Sequence, residues 1–540
     1  MAKRFNISAL VDQAAQQNPD KAALIFYDRT KRDYSSYDYR YVYESSNRYA
    51  SGLLARGFRA GQKLALLSHP DAEFFVFVLG LFKAGLVPVF LDPAVGLRKL
   101  KQCIYDAEVD GFVGSSLIKL ASYLLGWHQG KKMRHLFPRG RHKGSFPSFK
   151  AAGSSLFERA ETFETDLALI SFTSGSTGTP KGVCFSQQNL RAQLESIQAL
   201  YSIKASEVDM PTLPVFTFFD LAFGLSSVLP HTNTLRPAKA EPEKLLEAID
   251  RFKVTTMFAS PVLAEKLAQH GQKLPGLKRF ISAGAPVEAE VLAKLRPLLD
   301  DAAKIHIPYG ATECLPITSI EGSEIVRQTR FLTEQGAGVC VGRAVANLDL
   351  RLMPITDAAV PQWHSDFSLA TGKIGEIVVR AEQASQTYSN RPEANALAKM
   401  LDTDGTFLHR MGDLGYLDEQ GRLWFVGRKA HRLELPQSTL FTLPVERIFK
   451  VHPGVKRSAL VGVRLGGRLE PVLCVEPTQR LTRVQKRQLL ESLRVLAQQN
   501  EKTVLVKHFL IKQKFPVDIR HNSKIIREEL AIWASKQIMG

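Results

Sequence analysis

The stretch SFTSGSTGTPKGV, residues 171–183, gathers three glycines, a run of hydroxyl side chains and one lysine. Its flanks say what kind of loop it is. Upstream, LALIS (Leu167 to Ser171) predicts a short buried strand. Downstream, Val183 to Phe185 predicts a second strand, and Ser186 is placed to cap a helix along QQNLRAQLESIQALY. The loop therefore joins strand to strand. Glycine permits close backbone approach, hydroxyls and free amides donate hydrogen bonds, and Lys181 supplies charge, so these residues suit a polyphosphate. A Walker A loop would need Gly-Lys-Ser/Thr opening a helix, but Pro180 precedes this lysine and no helix follows it. A flexible surface turn is the alternative that composition alone leaves open.

The chain has 540 residues, 45% hydrophobic and 23% charged, enough to bury large cores in two or more domains. Cys103, Cys184, Cys314, Cys340 and Cys474 are scattered without CxxC spacing, which predicts neither a disulfide framework nor a zinc site and fits a reducing cytoplasm. The start, MAKRFNISALVDQAA, lacks the apolar core of a signal peptide, so a cytoplasmic location is expected. The most membrane-like run, Phe74 to Leu91, is interrupted by Lys83, Gly85 and Pro88 and reads as helix, glycine turn and buried strand. The same strand-then-helix grammar recurs in VTTMFAS before PVLAEKLAQH and in KRFISAG before APVEAEVLAKLRPLL. An α/β fold with largely buried sheets follows.

The formal net charge of +18 is unevenly placed. Gly111 to Phe157 carries eight Lys/Arg and no acid, and His431 to Gly540 carries twenty against nine; the remainder, 43 basic against 44 acidic, is close to neutral. Nucleic acid, anionic lipid and acidic cosubstrates are the partners such surfaces suit, and no nucleic-acid module accompanies the charge, so none is expected to bind. The segment from Ile118 to Gly144 mixes its cations with Leu, Tyr, Trp and Phe, which suits an interfacial helix, a lid, or a surface excursion with its own small core. A peripheral contact at the inner membrane face is an expectation on this ground.

Three later clusters bear on the loop. YGATE (Tyr309 to Glu313) follows the strand-like IHIP, at a strand end where α/β proteins bind ligands. In MGDLGYLDEQGRLWFVGRKAHR, Asp413 reads as part of a glycine-flanked turn, a hairpin turns at Glu419 to Gly421, and Arg428 follows. A fixed carboxylate grips two ribose hydroxyls, and an arginine braces them or a phosphate. FPVDIRHNSKII places Lys524 in a polar turn.

In order along the chain, TSGSTGTPKG, SAGAPV, YGATE, GDLGYLDEQGRLWFVGRK and the late Ser523-Lys524 resemble the signatures of the adenylate-forming (AMP-dependent acyl synthetase and ligase) superfamily. The resemblance implies an α/β fold with a large N-terminal adenylation domain over 1–427 and a small mobile α+β domain over 428–540. It also implies ATP and Mg²⁺. Thr173, Ser174, Gly175, Ser176, Thr177, Gly178 and Lys181 would cradle the phosphates; Gly284, Ala285, Pro286, Tyr309 and Gly310 would frame the adenine. Thr312 would meet the α-phosphate and Glu313 the metal; Asp413 and Arg428 would hold the ribose, and Lys524 the reacting carboxylate. Lys524, Lys181, Glu313 and Thr312 are thus the expected catalytic set.

This sequence departs from the superfamily's usual pattern at Ala430, at the customary hinge position, at Ser523 and at Thr217, where a histidine is common. Together with FLDPAVGLRKLKQC, RPAKAEPEKL and GAGVCVGR, the departures resemble the β-lactone synthetases of bacterial long-chain olefin biosynthesis. That branch implies a long-chain 2-alkyl-3-hydroxy acid as substrate, no need for CoA, and a thiolase-like enzyme, a reductase and a lactone decarboxylase as pathway partners. Phe216, Phe218, Phe219 and Phe223 are candidate acyl-pocket residues, with plain core packing as the other reading. His431 and His521 lie in suggestive places for a base. A fatty-acyl-CoA synthetase or fatty-acyl-AMP ligase is the rival within the fold; a non-catalytic binding protein lies outside it.

Overall fold

The computed structural model describes residues 3–91, 95–127, 133–140, 144–173, 180–232, 237–517 and 524–539. Strand Leu167–Thr173 pairs antiparallel with Lys181–Ser186, with Thr173 opposite Lys181, so the glycine-rich loop does join strand to strand. These two belong to a seven-stranded sheet ordered Thr387–Tyr388, Lys181–Ser186, Leu167–Thr173, Val87–Phe90, Lys63–Leu67, Gly111–Gly114 and Arg134–Leu136. The last five run parallel, so their C-terminal ends share one edge with the start of the loop. Parallel strands need helical crossovers covering both faces, and the helix Ala72–Lys83 (AEFFVFVLGLFK) shows it by being apolar on all sides and almost wholly buried. Gly80 lets it approach the helix Tyr39–Ala55: a Cβ there would lie 2.6 Å from the Tyr49 Cβ.

A second, larger sheet has a parallel core including Thr256–Ala259, Arg279–Ser282 and Lys304–Ala311. It then turns antiparallel through Cys314–Glu321, Val339–Ala344, Leu423–Arg428, Phe407–Leu417, Gly375–Arg380 and Asp349–Met353. Two sequence expectations are corrected here. Asp413 is not in a turn; it sits inside the strand Phe407–Leu417 with Arg428 as its register partner. Gly412 and Gly415 mimic turn residues, but Gly412 takes a φ of +63° inside the strand and the pairing shifts at Leu414/Gly415, where a Cβ on Gly415 would lie 2.7 Å from the Trp424 carbonyl oxygen. The helix expected from Ala285 begins only at Ala289, after Gly284 at φ +96° and Pro286.

Beyond Arg428 the chain forms a three-stranded sheet, Val455–Leu465, Arg468–Pro477 and His508–Ile511. Helices Thr442–Lys450 and Arg483–Gln498 cover one face through Phe449, Leu489 and Leu493, and helix Arg527–Met539 covers the other through Leu530 and Ala534. Several pairs tie it to the large sheets: Arg447 Nη1 to Glu288 Oε2 at 2.6 Å, Lys502 Nζ to the Gly336 carbonyl at 2.9 Å, and Lys429 Nζ to Glu376 Oε2 at 3.0 Å. Among the described residues no helix is long and apolar enough to cross a membrane. All five cysteines are free thiols.

Candidate active site

The glycine-rich loop leaves the seven-stranded sheet at Thr173 and returns at Lys181. Ser174, Gly175, Ser176, Thr177 and Gly178, and the side chain of Thr173, lie outside the described residues. On the returning strand the Lys181 ammonium stands 5.0 Å from the centre of the Tyr388 ring, and Tyr388 belongs to the neighbouring edge strand. Tyr388 in turn donates its hydroxyl to Glu313 Oε1 at 2.7 Å. Glu313 and Thr312 form the tip of the hairpin between Lys304–Ala311 and Cys314–Glu321, so YGATE is a strand end continued by a two-residue turn. Gly310 is required there: a Cβ would meet the Cys314 carbonyl oxygen at 2.7 Å.

A second arm holds the same glutamate. The Ser385 amide donates to the Glu313 carbonyl at 2.7 Å, and the buried Lys399 ammonium donates to the Ser385 carbonyl and lies 3.3 Å from its hydroxyl. Lys399 also stands 5.1 Å from the Tyr388 ring, so this ring meets two lysines, Lys181 and Lys399. Burial pushes the Lys399 ammonium down to about 8, against the pull of the Glu313 carboxylate. His409, buried, lies with Nδ1 3.1 Å from the Ala398 carbonyl, and burial with the nearby Lys399 charge keeps its ring neutral.

Asp413 is brought to the site by strand pairing. Its Oδ2 accepts from the Tyr309 hydroxyl at 2.6 Å, and Arg428 Nε lies 3.1 Å from Oδ1. That contact lacks hydrogen-bond geometry, so Oδ1 is a buried acceptor with no hydrogen-bond partner among the described residues. Burial raises the Asp413 carboxyl above its usual range, opposed by Arg428, Tyr309 and Lys524. The Lys524 charge acts on the Asp413 carboxyl, so the late lysine is felt electrostatically at this strand carboxylate. Ser282 Oγ, just before Gly284, is a second buried oxygen with no such partner. Among the described residues no three His, Cys, Asp or Glu groups cluster to hold a metal. Glu313 offers a carboxylate at the hairpin tip, one oxygen of which accepts from Tyr388, and this fits magnesium, an ion that takes one or two carboxylates and completes its shell with phosphate oxygens and water.

Residues 11–389, more than half of the chain, match the family described as AMP-binding enzyme. The chain belongs to that family. It is an AMP-forming ligase with the adenylate-forming fold. An olefin β-lactone synthetase of Stenotrophomonas maltophilia is 42% identical over 555 residues, which cover 100% of this chain and 99% of that protein. One of Xanthomonas campestris pv. campestris is 42% identical over 553 residues, covering 99% of each. Among solved structures, an o-succinylbenzoate coenzyme A synthetase from Bacillus subtilis in complex with ATP and magnesium ion superposes with a TM-score of 0.78 at 19% identity, covering 98% of this chain and 100% of that one.

Family motifs pointed to Lys181, Glu313, Tyr309, Asp413, Arg428 and Lys524, but not to Tyr388, Ser385, Lys399 and His409, which stand behind them. TYSNRPEA offers a signal for Tyr388, an aromatic before a Pro-capped helix, whereas nothing local marks Lys399 as buried. The candidate acyl residues are all half-buried. Phe218 packs on Phe75 and Phe90, at 5.0 and 6.0 Å, and Phe216 on Phe258 at 4.3 Å. Thr217 is fully buried and accepts from Ser227 Oγ at 3.3 Å. His431 is taken up by Glu528, Nε2 to Oε1 3.4 Å, and His521 lies outside the described residues.

Proposed function

We propose that this enzyme activates a long-chain 2-alkyl-3-hydroxy acid as its acyl-adenylate and then closes it to a β-lactone. The observation that carries this reading is the 42% identity, over essentially the whole chain, to two olefin β-lactone synthetases. The substrate carboxylate attacks the α-phosphorus of ATP, and the bond to pyrophosphate breaks. The 3-hydroxyl oxygen of the same substrate then attacks the acyl carbon, its proton leaves, and AMP departs. The nucleophile is intramolecular, which raises its effective concentration, and no CoA is required. Replacement of the customary residues at Thr217, Ala430 and Ser523 supports a second step unlike that of a CoA ligase.

The chain's own groups take these roles: Lys181 and the loop residues 173–178 hold the departing phosphates, and Thr312 meets the α-phosphate. Asp413 Oδ1 accepts from a ribose hydroxyl, with Arg428 and Tyr309 fixing the carboxylate. Gly284 to Pro286 and Gly310 border the adenine. Lys524 neutralises the reacting carboxylate and α-phosphate, and the small domain from 428 onward swings away once the adenylate is made. Glu313 would hold a magnesium ion, whose charge offsets the crowding of phosphate oxygens. A cytoplasmic setting and delivery of substrate and product among a thiolase-like enzyme, a reductase and a lactone decarboxylase complete the proposal.

The test is mass spectrometry after incubating enzyme, ATP and Mg²⁺ with such an acid, with and without CoA, under mild workup. The expected product is one water lighter than the acid, forms equally without CoA, and falls by about a hundredfold or more in Lys524→Ala. A thioester formed only with CoA would make this chain an acyl-CoA ligase.

A further inference from the structure

Six of the twenty exposed large apolar side chains among the described residues fall between Leu97 and Leu124. They are Leu97 and Tyr105 on the helix Leu97–Ala107, and Leu117, Leu120, Tyr123 and Leu124 on the helix Ser116–Leu124. Their spacing is regular. Leu117, Leu120 and Leu124 stand at i, i+3 and i+7, one helical stripe, and Leu117 and Leu124 are each 77% exposed. The opposite face of this helix packs Ile118 on the core below it. On the other helix Leu97, exposed Lys101 and Tyr105 stand at i, i+4 and i+8, while Leu100, Cys103 and Ile104 are buried. The chain just past the second helix comes near the first, since a Cβ placed on Gly126 would lie 3.7 Å from Lys101 Nζ. Scattered exposed leucines are ordinary, but a stripe at helical spacing on one helix, with exposed Leu97 and Tyr105 on another, marks an interaction surface.

Charge decides the occupant. From Leu97 to Phe157 there are eleven Lys/Arg against three acids. A second copy of the chain would bring the same positive surface against itself. Apolar side chains interleaved with cations are the composition of a helix lying in a bilayer interface, with leucines at the acyl boundary and cations at the headgroups. We propose that these two helices dock the enzyme on anionic lipid bilayers. Topology adds a reason. Ser115, which caps the second helix, directly follows the strand Gly111–Gly114, and the first helix begins a few residues after Val87–Phe90. Both helices therefore start from the edge of the parallel sheet where Leu167–Thr173 delivers the glycine-rich loop. Phe90, at that edge, touches Phe218. A docked face here sets the acyl region beside the membrane in which a two-chain acid is dissolved. The docking itself does not rest on the proposed reaction.

The experiment is co-sedimentation of the full chain with vesicles of phosphatidylglycerol mixed with phosphatidylcholine, and of phosphatidylcholine alone, from about 0.05 to about 0.5 M salt. The variants are Leu117→Ser/Leu120→Ser/Leu124→Ser and Arg98→Glu/Lys101→Glu, all at exposed positions. Binding to the anionic vesicles only, weakened by salt and reduced about tenfold or more in each variant, with pyrophosphate exchange on a short soluble acid unchanged, is the expected result. No binding to anionic vesicles, or binding that survives both variants, overturns it. A leucine variant that leaves vesicle binding intact but converts an oligomer to a monomer in solution assigns the face to a second copy instead.

Discussion

Asp413 shows how strand pairing sets one side chain. Strand pairing sets it opposite Arg428, Tyr309 fixes one oxygen, and the other is left buried with acceptor capacity. Asp413→Asn keeps the volume but removes the charge that Arg428 faces, and kcat/KM for ATP in pyrophosphate exchange is expected to fall about a hundredfold. An unchanged value would remove Asp413 from the nucleotide site. Lys399 works one layer further out, through Ser385 and Tyr388, on the main chain and the carboxylate of Glu313. Lys399→Met fills the same space without the ammonium; exchange is expected to drop about tenfold or more, and the magnesium concentration needed for half-maximal rate to rise. The contrast between these residues explains what was legible. Asp413 and Lys181 sit in short motifs whose chemistry is written locally. Lys399 gains its meaning from burial against two strands distant in sequence, which no local pattern records.

The helix Gln187–Tyr201 was readable to the residue, because Ser186 accepts from the Asn189 amide and Asn189 Oδ1 accepts from the Ser186 amide, a reciprocal cap. Ser186→Ala is expected to cost about 1 kcal/mol, read as a lowered Tm. The strand Phe407–Leu417 was misread at Gly412 and Gly415, because a bulge uses the residues that a turn uses. The short helix Thr217–Phe223 rests on a pair of buried carboxyls, Asp220 and Asp209, with Asp220 accepting from Ser227 Oγ at 2.6 Å. Burial raises both, Asp209 to about 7, and mutual repulsion pushes Asp220 up further, so the pair shares a proton. A raised folded-state value means that the folded chain holds the proton more tightly than the unfolded one. This stabilisation is fully present below about pH 4 and is lost as pH rises through about 7. Asp220→Asn mimics the protonated partner, so its Tm advantage over the parent should be small at pH 5 and larger at pH 8. A parent Tm equally high at both pH values would deny the shared proton.

At the scale of the molecule, polar pairs among the described residues join the large sheets to the C-terminal part, Arg432 with Asp357 among them. Lys429 reaches the buried Glu376, which Arg410 also holds at 2.6 Å, and this contact lies one residue from Arg428, the partner of Asp413. Arg447–Glu288 and Lys502 to the Gly336 carbonyl lie farther along the small domain. If that domain swings, the second set breaks while the first stays. Glu288→Ala should therefore enlarge the radius of gyration in X-ray scattering without nucleotide and slow pyrophosphate exchange severalfold, while Tm changes little. An unaltered scattering curve would mean that this pair does not govern docking. The two-part architecture was legible from ordered motifs along the chain, whereas the pairs joining the parts were not, since Glu288 and Arg447 are 159 residues apart with no motif around either.

The pairing of Asp413 with Arg428 also has a consequence of parity. Side chains alternate faces along a strand, and Arg428 is the last residue of Leu423–Arg428. One residue inserted between Gly427 and Arg428 would send the guanidinium to the far side of the sheet although no residue of the motif is replaced. The pairing of Asp413 with Arg428 is thus spelled by odd and even positions as much as by the residues themselves.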